Sequence, residues 1–217
     1  LFVDERAVGV IEAKKRGATL TGVAWQTAKY VDGLPDHVPT AIEGPLPFVY
    51  QSTGTETRFT DLRDPDPRSR PVFAFHRPET LLVWIDDVRR HPMAPSLRAR
   101  LRALPPLDET GLWPAQARAI RNLEGSLARG DPRALIQMAT GSGKTFTAAN
   151  IAYRLVKHAD ATRVLFLVDR ANLGRQTLKE FQAFTTPDDG RKLTDLYNVQ
   201  HLSSNAIDRV ARITIST

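Results

Sequence analysis

Met138-Ala139-Thr140-Gly141-Ser142-Gly143-Lys144-Thr145 decides how this chain is read. The stretch follows the apolar run Ala134-Leu135-Ile136 and opens a helical pattern that continues from Phe146 to Val156. Strand, glycine loop and helix in that order make a phosphate-binding loop. Glycines let successive backbone N–H groups turn toward phosphate oxygens, and the helix N-terminus adds partial positive charge. In that arrangement Lys144 reaches the β- and γ-phosphates of a nucleotide, and Thr145 offers its hydroxyl to Mg²⁺. Met138 stands where the usual G-x-x-x-x-G-K-[ST] pattern has its first glycine. A chance glycine–serine loop is the rival meaning, and it does not account for strand, loop and helix falling in register.

Around this loop the chain has 217 residues, enough for two domains or parts of them. With 41% hydrophobic and 25% charged residues it belongs to the soluble globular class. No apolar run approaches a membrane span, and no basic-then-apolar leader opens the chain, so a cytoplasmic protein is expected. The absence of cysteine excludes disulfides and thiolate metal sites. A net charge of +6 favours a polyanionic partner without naming one. Leu1-Phe2-Val3 reads as a strand with no initiator Met, and Arg212-Ile213-Thr214-Ile215-Ser216-Thr217 reads as another, so a piece of a longer chain is expected.

Three regions follow from the patterning. Residues 1–78 alternate short apolar runs with turns. Strands are expected at Val8-Gly9-Val10-Ile11, Pro47-Phe48-Val49-Tyr50, Thr57-Arg58-Phe59-Thr60 and Val72-Phe73-Ala74-Phe75. A helix carries Leu20, Val23, Ala24, Thr27 and Val31 on one stripe. Residues 79–108, punctuated by prolines, form a connector. In it Ser96 caps a short helix with Leu97, Leu101 and Leu104 inward and Arg98 and Arg102 solvated. Residues 109–217 alternate helix and strand as a parallel-sheet domain does. Helices are expected near 114–127, after the loop with Ala148, Ile151, Ala152 and Leu155 inward, and around Leu173, Thr177, Phe181 and Phe184. Strands are expected at 134–138, at Val164-Leu165-Phe166-Leu167-Val168 as a run buried on both faces, and after Arg212.

Glu12-Ala13-Lys14 ends the strand that Val8 begins, and residues i and i+2 of a strand share a face. A carboxylate beside a lysine suits metal-dependent phosphodiester cleavage: the carboxylate holds a divalent metal and the lysine stabilises developing charge. By spacing alone the same pair is an ordinary ion pair. Gln26 and Tyr30 follow at i and i+4 on one helix face. No His, Cys and Asp cluster suggests zinc, and His37, His76, His91, His158 and His201 are scattered.

Val10-Ile11-Glu12-Ala13-Lys14 with Gln26-x-x-x-Tyr30 resembles the PD-(D/E)xK nuclease domain of type I restriction enzyme motor subunits. Phe73-x-Phe75-His76-Arg77-Pro78-Glu79-x-Leu81 resembles the segment that follows it in that family. Ala139-Thr140-Gly141-Ser142-Gly143-Lys144-Thr145 has the form found in superfamily-2 helicases and translocases. Gln116 matches the glutamine that reads adenine there, and Leu167-Val168-Asp169-Arg170-x-x-Leu173-x-x-Gln176 resembles their motif Ia, with Arg170 a candidate DNA phosphate contact. The resemblance implies an α/β fold, a partial PD-(D/E)xK nuclease domain followed by the first part of a RecA-like P-loop motor lobe. It implies ATP and Mg²⁺ as cofactors, with Glu12 and Thr145 as metal ligands. The implied partners are double-stranded DNA and the specificity and methyltransferase subunits of a restriction complex. One departure stands out: the family's metal-binding Asp is expected before Leu1, since Asp4 sits close to Glu12, in the turn before its strand. A stand-alone superfamily-2 helicase with a structural front domain, and a P-loop small-molecule kinase, are the alternatives.

Overall fold

The computed structural model describes residues 1–20, 34–35 and 37–217. Gln26, Tyr30 and most of the first expected helix lie outside the described residues. The chain divides into two compact units, Leu1–Ala99 and Arg100–Thr217, so the residues read as a connector are shared between them.

In the first unit a short hairpin, β1 (Phe2–Val3) and β2 (Arg6–Ala7), turns through Asp4 and Glu5, both at positive φ. Strands β3 (Gly9–Ala13), β4 (Phe48–Ser52), β5 (Thr57–Asp61) and β6 (Arg70–Val72) then form one sheet in sequence order. β3 runs parallel to β4, and the other pairs are antiparallel. The β3 backbone lies tight on its neighbour: a Cβ on Gly9 would come within 2.1 Å of the Phe48 carbonyl oxygen. Phe48, Tyr50 and Phe59 project from one face onto helix α1 (Pro78–Arg90), whose Leu81 and Ile85 are buried against them. Proline at the first turn of α1 suits a position whose N–H has no intrahelical partner. The opposite face gathers Ala7, Leu46 and Val49 with Val10, Leu34 and Val38.

The last strand of this sheet differs from expectation. It covers Arg70–Val72, and Phe73 and Phe75 are exposed beyond it. Pairing with Arg58 and Phe59 selects Pro71 and Arg70 as the ladder residues, and this partnership is invisible in local sequence. His76 then turns back into the sheet. The Tyr50 hydroxyl and His76 Nδ1 share a hydrogen bond at 2.6 Å, and the imidazole packs on Phe59 and Trp84. Helix α2 (Leu97–Arg102) follows, with Ser96 Oγ accepting the Ala99 N–H at 3.1 Å as the sequence suggests. Of the two arginines expected to be solvated, Arg102 is exposed and Arg98 is half-buried. Arg98 pairs with buried Asp64 at 2.7 Å in the first unit. In the second unit, buried Arg100 donates to the Ala159 carbonyl and Arg102 to that of Ala128. A guanidinium supplies several donors in a fixed plane, which suits carbonyl oxygens left over at helix ends.

The second unit contains α3 (Pro114–Ala128), α4 (Lys144–His158), β7 (Val164–Leu167), α5 (Ala171–Ala183), α6 (Leu193–Leu196), β8 (Val199–His201) and β9 (Ile213–Ser216). The three strands are parallel in the order β7-β9-β8. Ile213 and Ile215 of central β9 pack on Ala149, Ala152, Tyr153 and Val156 of α4, with Phe181, Phe184 and Leu193 closing the core. The buried face of α4 is therefore one position away from the expected stripe, with Ala148, Ile151 and Leu155 only half-buried. α4 is covered by both α3 and α5, which widens and rotates its buried arc.

Two strand expectations fail here. Residues 134–138 form no strand: Leu135 is 93% exposed, and a cleft of about 490 Å³ lined by Arg118, Asn122, Leu135 and Met138 lies beside α3. A strand exists only through ladder partners, and among the described residues no strand is bonded to this segment. β7 is an edge strand whose Val164 and Phe166 face the core while Leu165 and Leu167 are exposed, so its apolar run is not covered on both faces.

Candidate functional site

The glycine loop is built by the two helices beside it. Gly143 caps α4 with φ 76° and ψ 38°, a left-handed geometry that glycine adopts without steric cost. A Cβ there would meet Gln116 Nε2 at 2.3 Å, so the position is closed to side chains by contact as well as by dihedral. Gln116, in the first turn of α3, is buried, and its amide is used at both ends. Its Oε1 accepts the Trp113 N–H at 2.9 Å, and its Nε2 donates to the Ser142 carbonyl at 3.2 Å. The glutamine thus ties the start of α3 to the loop.

Within the loop, Ser142 Oγ donates to the Ala139 carbonyl at 2.7 Å. Lys144 Nζ folds over the turn and donates to the Ala139 and Met138 carbonyls at 2.8 and 3.3 Å. Among the described residues no carboxylate pairs with Lys144, so its charge is held by neutral dipoles alone. Thr145 follows in the first turn of α4, where N–H groups lack intrahelical partners. A glycine-rich turn, a lysine and a helix N-terminus thus come together, an arrangement suited to an anion.

Further along α4 the helix is anchored by charge. Buried Arg154 reaches Glu124 of α3 at 2.5 and 3.1 Å and the Pro105 carbonyl at 2.6 Å. The Tyr153 hydroxyl donates to Asp188 at 2.6 Å, and Lys157 pairs with the same carboxylate. Burial, then the bond to Asp188, pushes Tyr153 up to about 12. These contacts fix the helix whose N-terminus carries the loop. Arg170, the expected phosphate contact, caps α5 and is exposed, 3.8 Å from Asp169.

In the first unit Glu12 and Lys14 lie at the end of β3. The Lys14 N–H continues the ladder by donating to the Ser52 carbonyl at 2.8 Å, which keeps Lys14 on the Glu12 face. Lys14 Nζ and Glu12 Oε1 are 2.7 Å apart, with the Glu12 side chain 12% exposed. The two residues are brought together as the i, i+2 spacing requires. Among the described residues no group of three His, Cys, Asp or Glu converges on them, and Asp4 sits exposed in the β1–β2 turn. Gln51, which no motif in the sequence marks, stands in register with Glu12 on β4 and is buried. An amide inside the otherwise largely apolar strand Phe48–Ser52 is the signal that could have found it.

The family described as "Type III restriction enzyme, res subunit" matches residues 109–217. The chain is 31% identical over 183 residues to the type I restriction enzyme EcoKI endonuclease subunit of Escherichia coli (strain K12), covering 79% of this chain and 15% of that protein. It is 40% identical over 92 residues to the type I restriction enzyme EcoAI endonuclease subunit of Escherichia coli, covering 41% of this chain and 11% of the relative. A type I restriction enzyme endonuclease subunit of Staphylococcus aureus (strain COL) is 25% identical over 185 residues, covering 80% of this chain and 19% of its own length. The chain thus spans less than a fifth of each of these relatives. No solved structure matches it significantly.

Proposed function

Because the chain belongs to the family of restriction-enzyme endonuclease subunits, we propose that its second unit is the ATP-binding part of a DNA translocase. The first unit is, in this reading, part of the PD-(D/E)xK endonuclease that the translocase carries. The observation that supports the motor half best is the loop. The loop Thr140, Gly141, Ser142 and Gly143 leads into the N-terminus of α4, beneath a lysine held only by carbonyls. When ATP binds, Lys144 exchanges those carbonyls for β- and γ-phosphate oxygens, and Thr145 adds its hydroxyl to the Mg²⁺ that accompanies the nucleotide. Those residues fit the ion, because phosphates and water supply most of its ligands. Gln116 holds the loop and borders the adenine. Arg170 contacts the DNA backbone in this reading.

Glu12 and Lys14 are the nuclease pair of the first unit, and Glu12 is one ligand of its Mg²⁺. The described residues bring no second carboxylate to it, so by themselves they do not fit a firmly held ion. In the assembled enzyme, double-stranded DNA and the specificity and methyltransferase subunits are the partners, and the cytoplasm is the compartment. Among the described residues no helix is long and apolar enough to cross a membrane.

Calorimetric titration of the chain with Mg·ATP tests the motor half. Lys144→Ala is expected to weaken binding by roughly 2–5 kcal/mol if the phosphate contact is desolvated, and Lys179→Ala on exposed α5 to leave it unchanged. Equal effects from both would remove the loop as the nucleotide site. For the nuclease half, cleavage by the longer protein is expected to vanish on Glu12→Ala while ATP hydrolysis persists.

A further inference from the structure

We infer that Gln51 is a positioning residue for the Glu12–Lys14 pair, its side-chain amide holding the Glu12 carboxylate beside the lysine. The inference rests on the reading of that pair as the reactive group of a nuclease. β3 and β4 are parallel, and Glu12 pairs in register with Gln51. Residues in register on neighbouring strands project from the same face, about 4.8 Å apart. Glutamate and glutamine have side chains of equal length, so carboxylate and amide come abreast. Small rotamer changes then close that spacing to a hydrogen bond.

This placement is specific to the face. Phe48, Tyr50 and Phe59 occupy the other side of the sheet with α1. On the Glu12 side, Val10 and Val49 form the apolar end, and Glu12 and Gln51 begin the polar end. Gln51 is 4% exposed. A buried amide costs free energy unless its donor and acceptor are both used. Arg58, the next residue in the row on β5, turns away: its Nε donates to Ser69 Oγ at 3.0 Å, and its guanidinium pairs with Glu56 at 3.3 Å. Gln51 is the polar group that β4 places in register with this carboxylate. Lys14 holds Oε1. A neutral amide can donate to the carboxylate without competing for the lysine's charge, and it fixes the orientation in which both side chains face a DNA phosphate.

NMR spectroscopy of the chain reads this contact directly. Glu12→Gln is expected to shift the side-chain amide resonances of Gln51. Gln51→Leu is expected to shift the Glu12 carboxyl carbon and the Lys14 ammonium resonance. Thr60→Val, on the same face of β5, is expected to move neither. A merely structural glutamine would lower the melting temperature when replaced yet leave the Glu12 carboxyl carbon where it was, and that result overturns the inference. If Gln51→Leu does not fold, an unmoved Gln51 amide in Glu12→Gln overturns it alone. Failure of the nuclease reading shows separately, as cleavage by the longer protein retained after Glu12→Ala while Glu12→Gln still shifts the Gln51 amide in the chain.

Discussion

Lys14 in the first unit stands just past β3 and Lys144 in the second opens α4, and the two are held in opposite ways. Lys14 lies 2.7 Å from a carboxylate that is itself mostly buried, so the pair is close to neutral. Lys144 lies on two backbone carbonyls, and its full charge faces outward from a helix N-terminus. An ammonium on carbonyls can exchange them for an anion at small cost. An ammonium on a carboxylate needs a further charge, a metal ion or a phosphate, before it can act. The second unit therefore presents an ammonium on neutral dipoles, and the first an ammonium already matched by a carboxylate.

The scaffolds differ to match. α4 is fastened by a buried ion pair, and the largest effect expected from any single change lies there. Arg154→Ala strands Glu124 and the Pro105 carbonyl, and should destabilise the second unit by roughly 3–5 kcal/mol in urea unfolding. A loss under about 1 kcal/mol would mean that the parallel core alone holds the loop's helix. Next in size is the contrast between the lysines themselves. Lys14→Ala leaves the Glu12 carboxylate without its ion-pair partner and is expected to cost about 1–2 kcal/mol. Lys144→Ala removes bonds to carbonyls that water can replace, and is expected to cost under roughly 0.5 kcal/mol of stability while weakening nucleotide binding. Equal stability costs at the two positions would dissolve the distinction.

The smallest effect is one of pH. Burial, with Arg70 nearby, pulls His76 below the ordinary histidine range, and its Nδ1 is hydrogen-bonded to the Tyr50 hydroxyl. Because the folded value is depressed, the unfolded chain binds more protons as pH falls. The first unit should therefore lose stability as pH drops from about 6.5 toward the lower folded value, and be insensitive above it. With the ring partly solvated, the loss is expected to be a few tenths of a kcal/mol. Unfolding curves of His76→Gln should lack this slope.

What the sequence made legible divides along the same physical line. The loop, α3, α4 and α5, the strands β3 to β5 and the shared face of Glu12 and Lys14 all depend on neighbours a few residues away, and period or motif reads them. The family was legible too, because its signature lies in those short spacings. Residues 134–138, the exposed half of β7, the Arg70–Val72 strand and Gln51 depend on partners far along the chain. An apolar run says that a segment can join a sheet, and only the other strand decides whether it does. Arg98 of α2 departs for a related reason: polar spacing on a helix looks solvated until a carboxylate is placed beside it.

The most direct measurement follows the loop itself. Backbone amide spectra of the chain should show Gly141, Gly143, Lys144 and Thr145 shifting in a saturable way as Mg·ATP is added. Glu12 and Lys14 should stay still, and the response should be lost in Lys144→Ala. Loop amides that do not move at saturating nucleotide, or that move identically in Lys144→Ala, would contradict the assignment of this loop as the phosphate site.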